Sequence, residues 1–354
     1  MQNNFRKENI MAHQVETMAW ANDEPWHGLG VEVPATLTPL EMQEAAGLDW
    51  TVSKRPSYTI DAPEWSENVG LIQADKTFHI VRDTDNRILS HCGRDYIPIQ
   101  NKNIFEFFKR FTDAGHMTME TAGSLKDGGE IWGLAKISED FELAGEDQIK
   151  GYLLINQPHI VGRSLIIKLT PIRVVCNNTL TFALQRGGTA SFRMPHVKVF
   201  GDDAVKAAEE ALGLSGERMA EFREAATLLS KKRAKHSDVL EYVGEVYQPT
   251  MIADYRRDQE LKAQGKLLGE LPPLVENFNK YPNLVVDALK QAPRAHLKSS
   301  KGTWWGALNA VTYVEDHLHE SEIPGNTLHS AWFGAAANRK SRALDLAVKY
   351  AKVA

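Results

Sequence analysis

Cysteine is nearly absent: 354 residues hold two, Cys92 and Cys176. Two distant thiols make neither a disulfide framework nor a cysteine zinc site, which excludes secreted disulfide scaffolds and zinc fingers and leaves both as buried thiols. No run approaches the roughly 18 consecutive apolar residues of a membrane helix, so an integral membrane protein is excluded. Met1 to Glu8 has no apolar core behind its basic residues and does not read as a secretory signal, so a cytoplasmic site is expected. A Walker loop is missing, which disfavours ATP-driven recombinases and helicases. His27-Gly28-Leu29-Gly30 lacks the third glycine and the preceding strand of a dinucleotide fingerprint and reads as a turn. His317 and His319 are two apart and cannot form the i, i+4 clamp of a zinc hydrolase. Neither a cofactor nor a resident metal is expected.

What is there is an ordinary globular composition, 43% hydrophobic and 25% charged, with a net charge of −5. Its length suggests about two domains. The pattern is that of an α+β protein with a β-rich first half and a mostly helical second half, divided as a β-rich α+β domain over 1–200 and a helical domain over 201–354. Thr38-Pro39-Leu40-Glu41 is a capping box with proline at the first helical position. Asp83-Thr84-Asp85-Asn86 and Lys126-Asp127-Gly128-Gly129 each separate two β-prone runs and predict hairpins. Ile104, Phe105, Phe107, Phe108 and Phe111 recur at helical spacing, so 101–111 should be a helix with an aromatic buried stripe. From Asp202 the pattern is helical, with Ser237 a cap, Pro249 a stop, Gly265 to Pro273 a linker, and Arg339, Lys340 and Arg342 near the surface of a helix over 330–353.

The charge is unevenly spread. From Gln148 to Gly201 there is no Asp or Glu, yet Lys150, Arg163, Lys168, Arg173, Arg186, Arg193 and Lys198 are all present. Buried strands avoid carboxylates, but they avoid lysine and arginine too. Phe192 and Met194 alternate with Ser191 and Arg193, and Val197 and Val199 with His196 and Lys198, which predicts strands with one apolar and one basic face. Cations interleaved with Tyr152 and Phe192 suit single-stranded nucleic acid, whose phosphates need positive charge and whose bases need flat side chains. Arg163, Lys168, Arg173, Arg186, Arg193 and Lys198 are the phosphate candidates, and Tyr152 and Phe192 the stacking candidates. A second basic cluster, Lys231-Lys232-Arg233-Ala234-Lys235-His236, follows a helix C-terminus, where cations complement the helix dipole.

No catalytic residue is assigned: Cys176 sits in a strand pattern with nothing to pair it to a histidine. Two other classes remain in view. One is an interaction protein that counters a host defence factor through Trp304, Trp305 and Trp332. The other is a metal-dependent nuclease using carboxylates such as Asp83 and Asp85, which sit where turns favour aspartate anyway.

Several patterns resemble the phage/plasmid-like protein family, whose domain is of unknown function: Trp26-His27-Gly28-Leu29-Gly30; Tyr96-Ile97-Pro98-Ile99-Gln100-Asn101 leading into Phe105; Arg173 to Leu180; Trp304 to His317 around Asn309-Ala310-Val311-Thr312; and Ser330-Ala331-Trp332-Phe333-Gly334 with Arg342-Ala343. The resemblance spans most of the chain and implies a gene of phages, prophages or plasmids. The order of hairpins, helix and helical half is also similar in outline to phage single-strand annealing proteins of the Red-beta and Erf type, which act without ATP in rings or filaments. The expected function is binding of single-stranded DNA or RNA without ATP, in recombination, annealing or replication, by a possible homo-oligomer with no membrane association.

Overall fold

The computed structural model describes residues 15–22, 25, 28–61, 70–113, 115, 117–173, 178–179, 191–213, 215–319 and 327–353. The protein is α+β, with strands dominating the first half and helices the second. Two compact units emerge: Met1–Ser138 with Tyr152–Leu169 and Ser191–Leu214, and Glu139–Gly151 with Thr170–Ala190 and Ser215–Ala354.

Strands β1 (Val15–Trp20), β2 (Val31–Glu32), β6 (Met117–Leu125), β7 (Glu130–Leu143), β8 (Asp147–Pro158) and β9 (Leu165–Arg173) lie in the order β9-β8-β7-β6-β1-β2, and β11 (Ser191–Met194) also pairs with β9. A separate three-stranded sheet holds β3 (Val52–Asp61), β4 (Gly70–Arg82) and β5 (Ile88–Cys92). Both expected hairpins form, at 83–87 between β4 and β5 and at 126–129 between β6 and β7. Helix α1 (Pro39–Ala45) starts with the reciprocal capping box: Glu41 N–H donates to Thr38 Oγ1 at 3.3 Å and Thr38 N–H to the Glu41 carboxylate at 2.8 Å. Helix α2 (Asn101–Asp113) buries Ile104, Phe105, Phe107 and Phe108. Gly133 of β7 makes room for that stripe, since a Cβ there would stand 2.7 Å from the Phe108 ring. Strand β11 stops at Met194, before Pro195. The expected second alternation therefore fails: Val197 and Val199 are exposed, while His196 is buried with its ring stacked on Tyr96 at 4.8 Å. With no strand to hold a period of two, His196 packs where its aromatic face finds a partner.

In the second unit, β10 (Asn178–Thr179) pairs with Ile172 and Arg173 of β9. The described helices are α4 (Ser215–Lys231), α5 (His236–Tyr247), α6 (Pro249–Ala263), α7 (Lys280–Gln291), α8 (Trp304–Tyr313), α9 (Thr327–Phe333) and α10 (Ala335–Val353), after α3 (Asp202–Gly213) of the first unit. Pro249 follows the end of α5 and opens α6, where its missing N–H costs nothing. Ser237 lies inside α5, whose cap position is Lys235. Helix α8 packs against α4, α5, α7 and α10 and is buried almost all round: Trp304, Trp305, Ala307, Leu308, Ala310 and Val311 are each at most 2% exposed.

Beyond α8 the chain makes a π-helical turn, Val314–Leu318, which brings two consecutive carboxylates inward. Asp316 accepts from Lys340 Nζ, and Glu315 accepts from Arg339 Nε at 3.0 Å and from the Tyr247 hydroxyl at 2.7 Å. Arg339 Nη2 donates to His319 Nε2 at 3.0 Å, and the His319 ring stacks on Tyr281. The expected surface cluster on α10 is therefore corrected: Arg342 is exposed and Arg339 half-buried, but Lys340 is 1% exposed. Its face of α10 is otherwise Ala336, Ala337, Ala343, Leu344 and Ala347, and the ammonium enters the core because a carboxylate waits there.

Candidate nucleic-acid interface

The acid-free stretch divides once it folds. Lys168 and Ile166 of β9 lie opposite Ser191 and Arg193 of β11. Arg193 and Lys198 are exposed; Lys168 and Phe192 are half-buried. Tyr152 is corrected as a stacking candidate: at 4% exposed it leaves no open ring face for a base. Arg163 pairs with Glu130, a carboxylate with no exposure that also takes Lys126 Nζ at 2.7 Å. That guanidinium is the counter-ion of a buried charge, which explains why a run without acids keeps an arginine there. Arg186, Cys176 and the side chain of Arg173 lie outside the described residues.

The alternatives change too. Trp304 and Trp305 have no exposed surface, and Trp305 Nε1 donates to the buried Asp147 at 2.9 Å; neither can anchor a partner. Trp332 is half-buried. Asp83 accepts from Ser53, Thr51 and Arg55, which hold its carboxyl below the usual range. Asp85 is gripped by Arg82 at 2.7 and 3.0 Å, which lowers its carboxyl to about 2. Both carboxylates are committed to arginines. Among the described residues, no group of three or more His, Cys, Asp or Glu side chains is placed to hold a metal.

The second basic cluster gains most. The segment after α4 runs beside 300–303 through an isolated β-bridge from Arg233 to Thr303, with Ala234 N–H donating to Gly302 O at 3.1 Å and Trp304 N–H to Lys232 O at 3.2 Å. Arg233 Nη1 adds a bond to Lys301 O at 2.8 Å. Thr303 caps α8 by accepting from Gly306 N–H, and Gly306 lets segment 300–303 lie on the first turn, since a Cβ there would come 1.9 Å from Ser300 O. Lys231, Arg233, Lys235, Lys290 and Lys301 are exposed, and none pairs with a carboxylate among the described residues. A cavity of about 230 Å³ adjoins the 231–236 run and is lined by Ala234, His236, Val239, Leu289, Lys290 and Tyr313 among others. Such a volume is below the roughly 300–1,000 Å³ of pockets for drug-sized ligands and suits a single planar ring. Sequence alone showed the 231–236 run but not Lys301, which the bridge at Thr303 brings to it, or Lys290, which shares the cavity lining with Ala234 and His236.

Over residues 88–346 the sequence matches the family described as Domain of unknown function (DUF932), and the chain belongs to that family. No curated protein and no solved structure matches it. Among the described residues no helix is long and apolar enough to cross a membrane.

Proposed function

We propose that the protein binds single-stranded DNA or RNA without nucleotide hydrolysis, in a phage or plasmid setting of annealing, recombination or replication. The observation that carries the reading is the set of Lys231, Arg233, Lys235, Lys290 and Lys301, five exposed cations with no carboxylate partner among the described residues, of which Lys290 lines a mostly apolar cavity that also holds Tyr313. Phosphates would lie on these cations and one unstacked base would enter the cavity, a division of labour that only a single strand permits. Arg193 and Lys198, exposed in the first unit, supply further phosphate contacts. Self-association would lengthen the track available to a strand.

The test is binding of a labelled oligo-dT to the full chain, followed by anisotropy across a salt series. Affinity should fall steeply with salt, with a log–log slope of about −0.7 per phosphate neutralised on a single strand. Arg233→Glu with Lys235→Glu should weaken binding strongly and flatten the slope, and Arg193→Glu with Lys198→Glu should do so to a smaller extent. Folded variants that bind as tightly as the parent at equal salt would overturn the reading.

A further inference from the structure

Strand β4 is the middle of the three-stranded sheet, and its register sets His79 directly opposite His91 of β5. On an antiparallel pair, opposite side chains leave on the same face with Cβ atoms about 4.5–5.5 Å apart. His91 is exposed and His79 half-buried, while Ile80, the next residue of β4, is buried. The two rings meet edge to face with centroids 4.8 Å apart, and the two Nδ1 atoms stand 2.8 Å from each other.

Two neutral imidazoles share that contact when one Nδ1 carries a proton and the other offers its lone pair. Protonating both rings would put like charges in contact. Arg55 of β3 lies opposite His79 as well, but its guanidinium is turned to Asp83 and Asn86, each at 2.8 Å, so its charge is spent elsewhere. Moving the shared proton from Nδ1 to the same ring's Nε2 frees a second lone pair beside the first and changes no charge.

The separation selects the ion. Two nitrogens 2.8 Å apart can each lie about 2.0 Å from one metal, the length of a metal–imidazole bond, and subtend about 90° there. A tetrahedral ion at that bond length would spread them to about 3.3 Å. Square-planar or tetragonal coordination by nitrogen and oxygen belongs to Cu²⁺ or Ni²⁺, and Cu²⁺ heads the affinity order. We propose that His79 Nδ1 and His91 Nδ1 chelate one Cu²⁺ ion across β4 and β5. Among the described residues no third His, Cys, Asp or Glu joins them, so water or an outside ligand completes the coordination. The ion ties down β5, an edge strand in register with β4 at four positions. Binding releases no net proton at neutral pH and weakens below about pH 6.5, where each ring must first give up a proton. None of these residues belongs to the nucleic-acid reading, so either can fail without the other.

The test is titration of Cu²⁺ into chelator-stripped full-length chain, read by NMR of the histidine rings and by electron paramagnetic resonance. Below one equivalent, broadening should reach the His79 and His91 rings before those of His236 and His296, exposed histidines of the second unit. The resonance should be axial, with hyperfine splitting from two nitrogens. His79→Ala and His91→Ala should each weaken the tightest site about 100-fold, because a second ligand on the same chain acts at high effective concentration. Broadening that reaches all four rings together would make the ion adventitious and overturn the proposal, as would a one-nitrogen spectrum or a folded single variant that holds copper as tightly as the parent. The first two readouts use the unaltered chain and decide the matter even where a variant does not fold.

Discussion

Both units bury paired charge, Glu130 with Arg163 and Lys126 in the first and Lys340 with Asp316 in the second, but the first also buries neutral rings with an unpartnered nitrogen. The second unit buries charge: Lys340 and Glu315 are each 1% exposed, and each meets a partner of opposite sign. The first unit buries neutral rings: His159 has no exposed surface, and burial lowers its pKa to about 3, with a smaller effect of His196. A buried ion is tolerated only when paired, because its desolvation costs several kcal/mol. A neutral imidazole can keep one nitrogen unpartnered at about 1–3 kcal/mol. The first arrangement is closed chemically, while the second still has lone pairs to offer.

The hardest way to break the charged network is to remove one member. Lys340→Ala leaves Asp316 buried beside an empty site, and urea unfolding should show a loss of about 3–5 kcal/mol. Removing both partners, as Lys340→Met with Asp316→Leu, should recover most of that loss. If the single and double variants are equally unstable, the pairing is not what holds the lysine inside.

An apolar reference sharpens the same point. Leu308 is 1% exposed on α8, and Leu308→Ala should cost about 2–5 kcal/mol through lost burial and a residual cavity. An unchanged melting temperature would contradict the burial of this helix face.

Local grammar was legible in the sequence where one short stretch decides the outcome. The Thr38 capping box, both hairpins and the α2 stripe follow from residues within four positions of each other. Lys340 was not legible, because its partner is 24 residues away and helical periodicity marks a lysine as surface. The ion pair of Arg163 was not legible for the same reason, its carboxylate lying 33 residues upstream at Glu130. Tyr152 looked like a stacking ring because alternation does not reveal that β8 is covered on both faces, as the consecutive buried residues Tyr152, Leu153, Leu154 and Ile155 show. The basic set needed the β-bridge between Arg233 and Thr303 before Lys301 could join the 231–236 run.

The buried imidazole of His159 predicts a pH dependence of definite sign. His159 in the folded chain titrates near 3, below its usual value near 6.5, so between those values the unfolded chain holds the extra proton. Stability is therefore full above about pH 6.5 and declines as pH falls toward 3, by about 1.4 kcal/mol per pH unit for one group. Burial lowers His196 as well, which steepens the slope. Unfolding in chelator at several pH values should show this decline, and His159→Gln should flatten it. A parent and variant with the same slope would mean the imidazole is already charged inside.

The smallest expected effect separates two roles for one side chain. Arg163 was a phosphate candidate, and in the structure it shares Glu130 with Lys126. A counter-ion and a phosphate contact respond differently when Arg163→Gln removes the charge. Glu130 keeps Lys126, so the loss should be modest, about 1.5 kcal/mol for one hydrogen bond to a charged group. Binding of oligo-dT by the folded variant should keep the parent's affinity and salt slope, because no phosphate loses its partner. A slope shallower by about 0.7 with unchanged stability would return Arg163 to the nucleic-acid surface and leave Lys126 as the sole counter-ion that Glu130 requires.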